Sequence, residues 1–157
     1  MKIGILADTH DNIEAIQKAI LFFNSHEVKY VIHAGDYVAP FSLKEFTKLD
    51  ARFIGVFGNN DGDRKSLLAM CKNIHAPPYD ILLNGKHLVV THMVESLSKR
   101  VMENVDVVIS AHTHVPEIRK GIPMYLNPGE CCGWVNGRST IALLNLETLD
   151  AEIVDIS

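Results

Sequence analysis

Five short apolar runs in this chain each stop at a carboxylate, an amide or an imidazole. KIGILA leads into Asp8 and His10, YVIHAG into Asp36, and FIGVFG into Asn59, Asn60 and Asp61. HLVVT ends at His92, and VVISA at His112 and His114. Runs this short, bounded by turn residues, are buried strands, and where helical spacing separates them they form βα units around a largely parallel sheet. In open sheets of that kind, ligands bind just beyond the carboxyl ends of the strands. The fold class therefore already says where chemistry would sit.

Strands are expected over Lys2 to Ala7, Val28 to His33 and Ala51 to Phe57. Helices should follow Asp11 and Pro40 (Phe41 to Leu49), and another should cover Arg64 to Lys72. Ile13, Ile16, Ile20 and Phe23 recur at helical spacing, with Asp11 as the expected N-cap. The rhythm then changes. Asn84-Gly85 between two apolar runs predicts a hairpin, because both residues tolerate positive φ. A helix is expected over Leu97 to Met102, then strands over Asp106 to Ser110, Pro123 to Leu126, Ser139 to Leu146 and Ala151 to Ile156. Parallel units followed by antiparallel pairs imply mixed sheets, two packed together with helices outside. With 157 residues, one domain spanning 1–157 is expected.

A net charge of −4 argues against a nucleic-acid partner, whose phosphates require a basic face. No window approaches the ~20 apolar residues that span a bilayer, and the N-terminal run is too short for a signal segment. A cytoplasmic protein is expected. Three cysteines, an odd number with Cys131 and Cys132 adjacent, do not make a disulfide framework and are expected reduced.

Residues i and i+2 of an extended chain project to one side, so Asp8 is expected to act with His10, and His112 with His114. Gly35 and Gly58 would permit sharp turns away from the sheet. Carboxylate, imidazole and amide oxygen are ligands for a divalent transition metal. Seven such groups exceed one tetrahedral ion and suit two ions sharing a carboxylate, roughly 3.5–4 Å apart. No phosphate loop or G-x-S-x-G nucleophile motif competes with this reading.

In order, D-x-H, G-D, G-N-N-D, a histidine after a strand and A-H-T-H resemble the five-block signature of the calcineurin-like metallophosphoesterases. The likeness is to the small single-domain YfcE-type phosphodiesterases. It runs from Met1 to about Trp134 and includes the loop N-P-G-E-C-C-G. It implies an α/β fold of two mixed β-sheets packed face to face and flanked by helices, a four-layer sandwich. It also implies that Asp8, His10 and His114 hold one divalent ion, that Asn59, His92 and His112 hold another, and that Asp36 bridges them. Manganese is the first expectation, with Ni, Fe, Co and Zn suiting the same ligands. Asp36, Asn59 and His112 would stand closest to the chemistry.

Two positions depart from the pattern. A histidine common after the metal-binding Asn is here Asn60, and the usual H-G-H of the fourth block reads His92-Met93-Val94. The resemblance implies hydrolysis of a small phosphodiester or nucleotide-like substrate by a hydroxide bridging two ions. With no acid at position 60, leaving groups of low pKa should be preferred, since general acid help is typically worth about 10²–10⁴. His33 is a candidate to orient a ligand and Asp61 to back a metal-bound histidine; a homo-oligomer is compatible with the sequence. Two alternatives share the fold: a protein-binding scaffold, as in a retromer subunit, and a nuclease, for which the acidic balance leaves little room. Of the other histidines, His26 and His87 are expected near turns in solvent, and His75 on a surface loop.

Overall fold

The computed structural model describes residues 1–98, 101–102 and 104–157. Strands β1 (Lys2–Leu6), β2 (Tyr30–His33), β3 (Arg52–Val56) and the two-residue β4 (Ile74–His75) run parallel in one sheet. β10 (Thr140–Asn145) pairs antiparallel with β1, and β11 (Asp150–Asp155) with β10, giving the order β11-β10-β1-β2-β3-β4. The second sheet has the order β5-β6-β7-β9-β8. It comprises β5 (Tyr79–Leu83), β6 (Lys86–Val90), β7 (Val107–Ile109), β8 (Glu117–Arg119) and β9 (Met124–Asn127), with β6, β7 and β9 parallel. β5 and β6 form the expected hairpin, and both Asn84 and Gly85 have positive φ.

The strands are apolar on both faces because both faces are covered. Ile3 and Ile5 of β1, Leu88 and Val90 of β6, Val107 and Ile109 of β7 and Leu144 of β10 fill the layer between the sheets. The alternate residues face outward. Ile141 and Leu143 of β10 meet Ile16, Ile20 and Phe23 of helix α1 (Ile13–Ser25). Val89 and Val108 close a smaller cluster with Val94, Leu97, Val101 and Met102. The period of two thus assigns each strand residue to one of two cores.

α1 is capped by Asn12, whose side chain accepts from the Ala15 N–H, and not by Asp11 as expected. Asp11 instead accepts the Ala39 N–H, tying the loop after β1 to the loop after β2. The helix expected over Phe41 to Leu49 is a short α2 (Pro40–Leu43) running into a 3₁₀ segment (Lys44–Lys48), and α3 covers Arg64–Met70. Of the helix expected over Leu97 to Met102, residues 99 and 100 lie outside the described residues; Leu97 itself is extended. β4 and β8, of two and three residues, were too short for a periodic signal. The three cysteines are free. No described helix is long and apolar enough to cross a membrane.

Candidate metal centre

The carboxyl ends of β1, β2, β3, β6 and β7 deliver Asp8, Asp36, Asn59, His92 and the pair His112 and His114. The delivery differs from the extended geometry anticipated above. Asp8, His10, Asp36, His112 and His114 all have positive φ, between 39° and 72°. Each is a bent, left-handed residue outside its strand, where a side chain is disfavoured and strain gathers at functional loops. Backbone bonds hold the bends: Asp8 N–H donates to Gly35 O, and Thr9 and His10 N–H donate to Asp36 O.

Five of the predicted residues converge. Asp8, His10 and His114 form one compact group of potential ligand atoms, and Asp8, Asp36 and His92 form another. His114 Nε2 and His10 Nε2 lie 3.7 and 3.8 Å from Asp8 Oδ1. His92 Nε2 lies 3.4 Å from Asp36 Oδ2 and His10 Nε2 lies 3.5 Å from it. Asp8 Oδ1, His10 Nε2 and His92 Nε2 are buried and have no hydrogen-bond partner. Atoms that share one ion at about 2.0–2.2 Å stand roughly 3.0–3.5 Å apart, so these spacings fit such a site with small adjustment.

The tautomers make the case chemical. His114 Nδ1 is 2.9 Å from Glu130 Oε2, and His92 Nδ1 is 2.9 Å from Ala34 O. Both partners accept only, so each ring donates through Nδ1 and, when neutral, presents a bare Nε2 lone pair. Those lone pairs face carboxylate oxygens. Facing acceptors repel unless a proton or a cation lies between them, and a divalent cation meets every donor at once.

Burial pushes the Asp8 carboxyl up to about 6, against the pull of His92 and His114. Burial also raises Asp36, but His92 and the Asn60 donors outweigh it and leave this carboxyl well below the usual range. Burial would lower His92, yet Asp36 and Asp8 hold it above its ordinary value. His10 is lowered, chiefly by burial.

The remaining predicted residues take other places. His112 is exposed, donates its N–H to Asp8 Oδ2 at 3.3 Å and sets its ring 5.2 Å from that of His92. Asn59 is exposed and lines a cavity with His92. Asn60 donates to both oxygens of Asp36, through its N–H at 2.9 Å and its side-chain amide at 2.7 Å. Asp61 does not back a histidine. Buried, it accepts the N–H groups of Asp36, Tyr37, Val38 and Gly58, using its lone pairs to clamp the Asp36 loop. His33 accepts the Gly35 N–H at Nδ1 and contacts Thr9 Oγ1 through Nε2, so it supports backbone and not a ligand side chain.

Gly58 is needed for close approach: a Cβ there would collide with the Asp36 carboxylate. Gly35, at φ +103°, combines such an approach to Gly58 and His92 with a turn closed to other residues. His75 lies in β4 rather than on a loop and stacks on Tyr79, and His26 stacks on Phe22. His87 is engaged by Asp80 and Asn104.

One residue escaped the sequence reading. Glu130, buried in the N-P-G-E-C-C-G loop, accepts from His114 Nδ1, from Cys132 and from the N–H groups of Val135 and Asn136. Against burial, these donors hold its carboxyl down to about 2. The available signal was an isolated acid between Pro-Gly and Cys-Cys, where a solvated glutamate has no reason to sit.

The comparisons with known proteins agree with this geometry. Phosphodiesterase MJ0936 of Methanocaldococcus jannaschii is 38% identical over 156 residues, covering 94% of each chain. A solved archaeal phosphodiesterase superposes with a TM-score of 0.90 at 35% identity, covering 99% of both chains. The phosphoesterase YfcE of E. coli gives a TM-score of 0.75 over the full length of both, at 19% identity, which supports the fold alone. The family description "Calcineurin-like phosphoesterase superfamily domain" matches residues 1–149, and the chain belongs to that superfamily of metal-dependent phosphoesterases.

Proposed function

We propose that residues 1–157 form one phosphodiesterase domain that works with two divalent metal ions. Asp8, His10 and His114 would hold one ion, Asn59, His92 and His112 the other, and Asp36 both. When bound, such a pair polarises phosphoryl oxygens and lowers the pKa of a water toward neutrality. The observation that carries the reading is the set of potential ligand atoms Asp8 Oδ1, His10 Nε2 and His92 Nε2, buried and facing one another with no hydrogen-bond partner.

The chain's own residues supply orientation. Glu130 fixes the ring of His114, and the Ala34 carbonyl that of His92. Asn60 steadies the Asp36 carboxylate from both oxygens. An amide donates a hydrogen bond but does not release a proton, so Asn60 leaves the departing oxygen to leave unassisted by an acid. Phosphodiesters with aryl or other low-pKa leaving groups follow as substrates, with manganese as the expected ion and the cytoplasm as the expected compartment; a homo-oligomer remains compatible.

The test is hydrolysis of an aryl and an alkyl phosphodiester with added Mn²⁺, with a chelator control. The aryl ester should turn over at least about 10²-fold faster, and chelation should abolish both activities. Equal turnover of the two esters contradicts the role given to Asn60. Absence of metal-dependent hydrolysis of either contradicts the reading and favours a scaffold.

A further inference from the structure

Beside the centre, on the Asn59 and His92 side, lies a cavity of about 250 Å³ whose lining includes Phe57, Arg64, Pro77 and Met93. Arg64 is the one permanent cation of that lining. Its guanidinium carbon stands 4.9 Å over the ring of Phe57, and its Nε donates to Asp61 O at 3.4 Å. Stacking on an aromatic face and one anchoring hydrogen bond hold the plane of the group. Among the described residues no carboxylate pairs with it, and its two terminal nitrogens have no acceptor. That leaves four N–H donors in a fixed fork, the arrangement that matches two oxygens of a phosphate.

The surroundings give this cation a purpose. The two positions where the resemblance leads one to expect histidines near the phosphate hold neutral Asn60 and Val94. Asp61, whose carbonyl anchors Arg64, also clamps the Asp36 loop through its carboxylate. One short turn therefore sets the position of both the proposed bridging carboxylate and the guanidinium. An unpaired, pre-oriented cation at the mouth of a phosphoester site has an anionic substrate as its natural partner.

We propose that Arg64 is a phosphate-binding residue: its terminal N–H groups take non-bridging oxygens of the substrate phosphate and orient the ester in the cavity. The proposal rests on the phosphodiesterase reading for the identity of its ligand, and its test is a binding measurement that does not require turnover. Inorganic phosphate is titrated into the manganese-supplemented wild-type chain and into Arg64→Gln, Arg64→Lys and Arg138→Gln. Arg138 is exposed and paired with Asp155, and serves as the control. Charge-assisted hydrogen bonds of this kind imply about 10- to 100-fold weaker phosphate binding in Arg64→Gln. Arg64→Lys should recover part of it, since lysine restores the charge without the fork. Arg138→Gln should match wild type, and metal content and melting temperature should be the same in all four proteins. In turnover, the loss should appear mainly in KM.

Phosphate affinity of Arg64→Gln within about twofold of wild type, or no phosphate binding by wild type, overturns the proposal. A wild type that hydrolyses diesters beside an unaffected Arg64→Gln removes the role of Arg64 and leaves the phosphodiesterase reading standing. Phosphate binding that depends on Arg64 in a chain that hydrolyses no diester does the reverse.

Discussion

On one side of the centre, His10 and His114 are largely covered, and the buried Glu130 grips His114 from behind while also bonding the backbone of residues 135 and 136. On the other, Asn59 and His112 are exposed, and neither side chain has a hydrogen-bond partner among the described residues. On the covered side Glu130 fixes the His114 ring before any ion arrives; on the open side the Ala34 carbonyl fixes His92, but Asn59 and His112 would have to be ordered on binding, which costs conformational entropy. The covered side is therefore expected to retain its ion. The open side, facing the Arg64 cavity, is expected to exchange its ion more readily and to admit the substrate.

The largest expected effect comes from Asp36, the residue proposed to join the two sides. Asp36→Asn puts an amide where both carboxylate oxygens now accept from Asn60. It also removes the charge that the two proposed sites would share. Metal stabilisation of the transition state is worth several kcal/mol, so turnover of an aryl phosphodiester should fall about 10³-fold or more. Assay with saturating Mn²⁺ reads this directly, and near-normal activity would mean that Asp36 joins nothing.

A smaller effect separates the sides. Glu130→Gln weakens the hold on His114, and loss of such a partner typically costs about 10–100-fold in metal affinity. His112→Gln should leave the covered side intact and lower manganese stoichiometry from two ions per chain toward one. Metal analysis after dialysis distinguishes the two variants. If both lose the same ion, or if His112→Gln loses every ion, the contrast between a covered and an open side is wrong.

Much of this was readable in advance, and the boundary is instructive. The strand order of polar ends, the Asn84-Gly85 hairpin and the gathering of Asp8, His10, Asp36, His92 and His114 all follow from local pattern. What stayed hidden depends on contacts distant in sequence. Glu130 meets His114 across 16 residues, and Asp61 bonds the Asp36 loop across 25. Asp11 does not cap α1; its carboxylate accepts the Ala39 N–H, 28 residues away in sequence. The left-handed backbone at Asp8 and His112 was illegible for the same reason: hydrogen bonds from the Asp8 N–H to Gly35 O and from the His112 N–H to the Asp8 carboxylate enforce it, not the residue's own preference.

The smallest effect concerns how far the rigid backing extends beneath Asp36. His33 is fully buried, stacked 4.0 Å from the ring of Tyr37, and accepts the Gly35 N–H at Nδ1 while meeting Thr9 at Nε2. Burial, above all, puts its pKa well below the ordinary 6.5. The sign follows from which state takes the proton. Between the depressed folded pKa and about 6.5, the unfolded chain binds a proton that the folded chain refuses. Stability from this group is complete above pH 6.5 and declines on acidification by up to about 1.4 kcal/mol per pH unit. Asp8, raised to about 6, opposes this slope because its folded form holds the proton more tightly. A subtraction isolates His33: His33→Asn keeps an acceptor near the Nδ1 position but does not titrate. In chelator, the wild type's stability advantage over His33→Asn should shrink as pH falls from 7 toward 4.5 in urea unfolding. Parallel curves would show that His33 is protonated or mobile in the folded chain, and that the ordered backing stops short of the Gly35 turn.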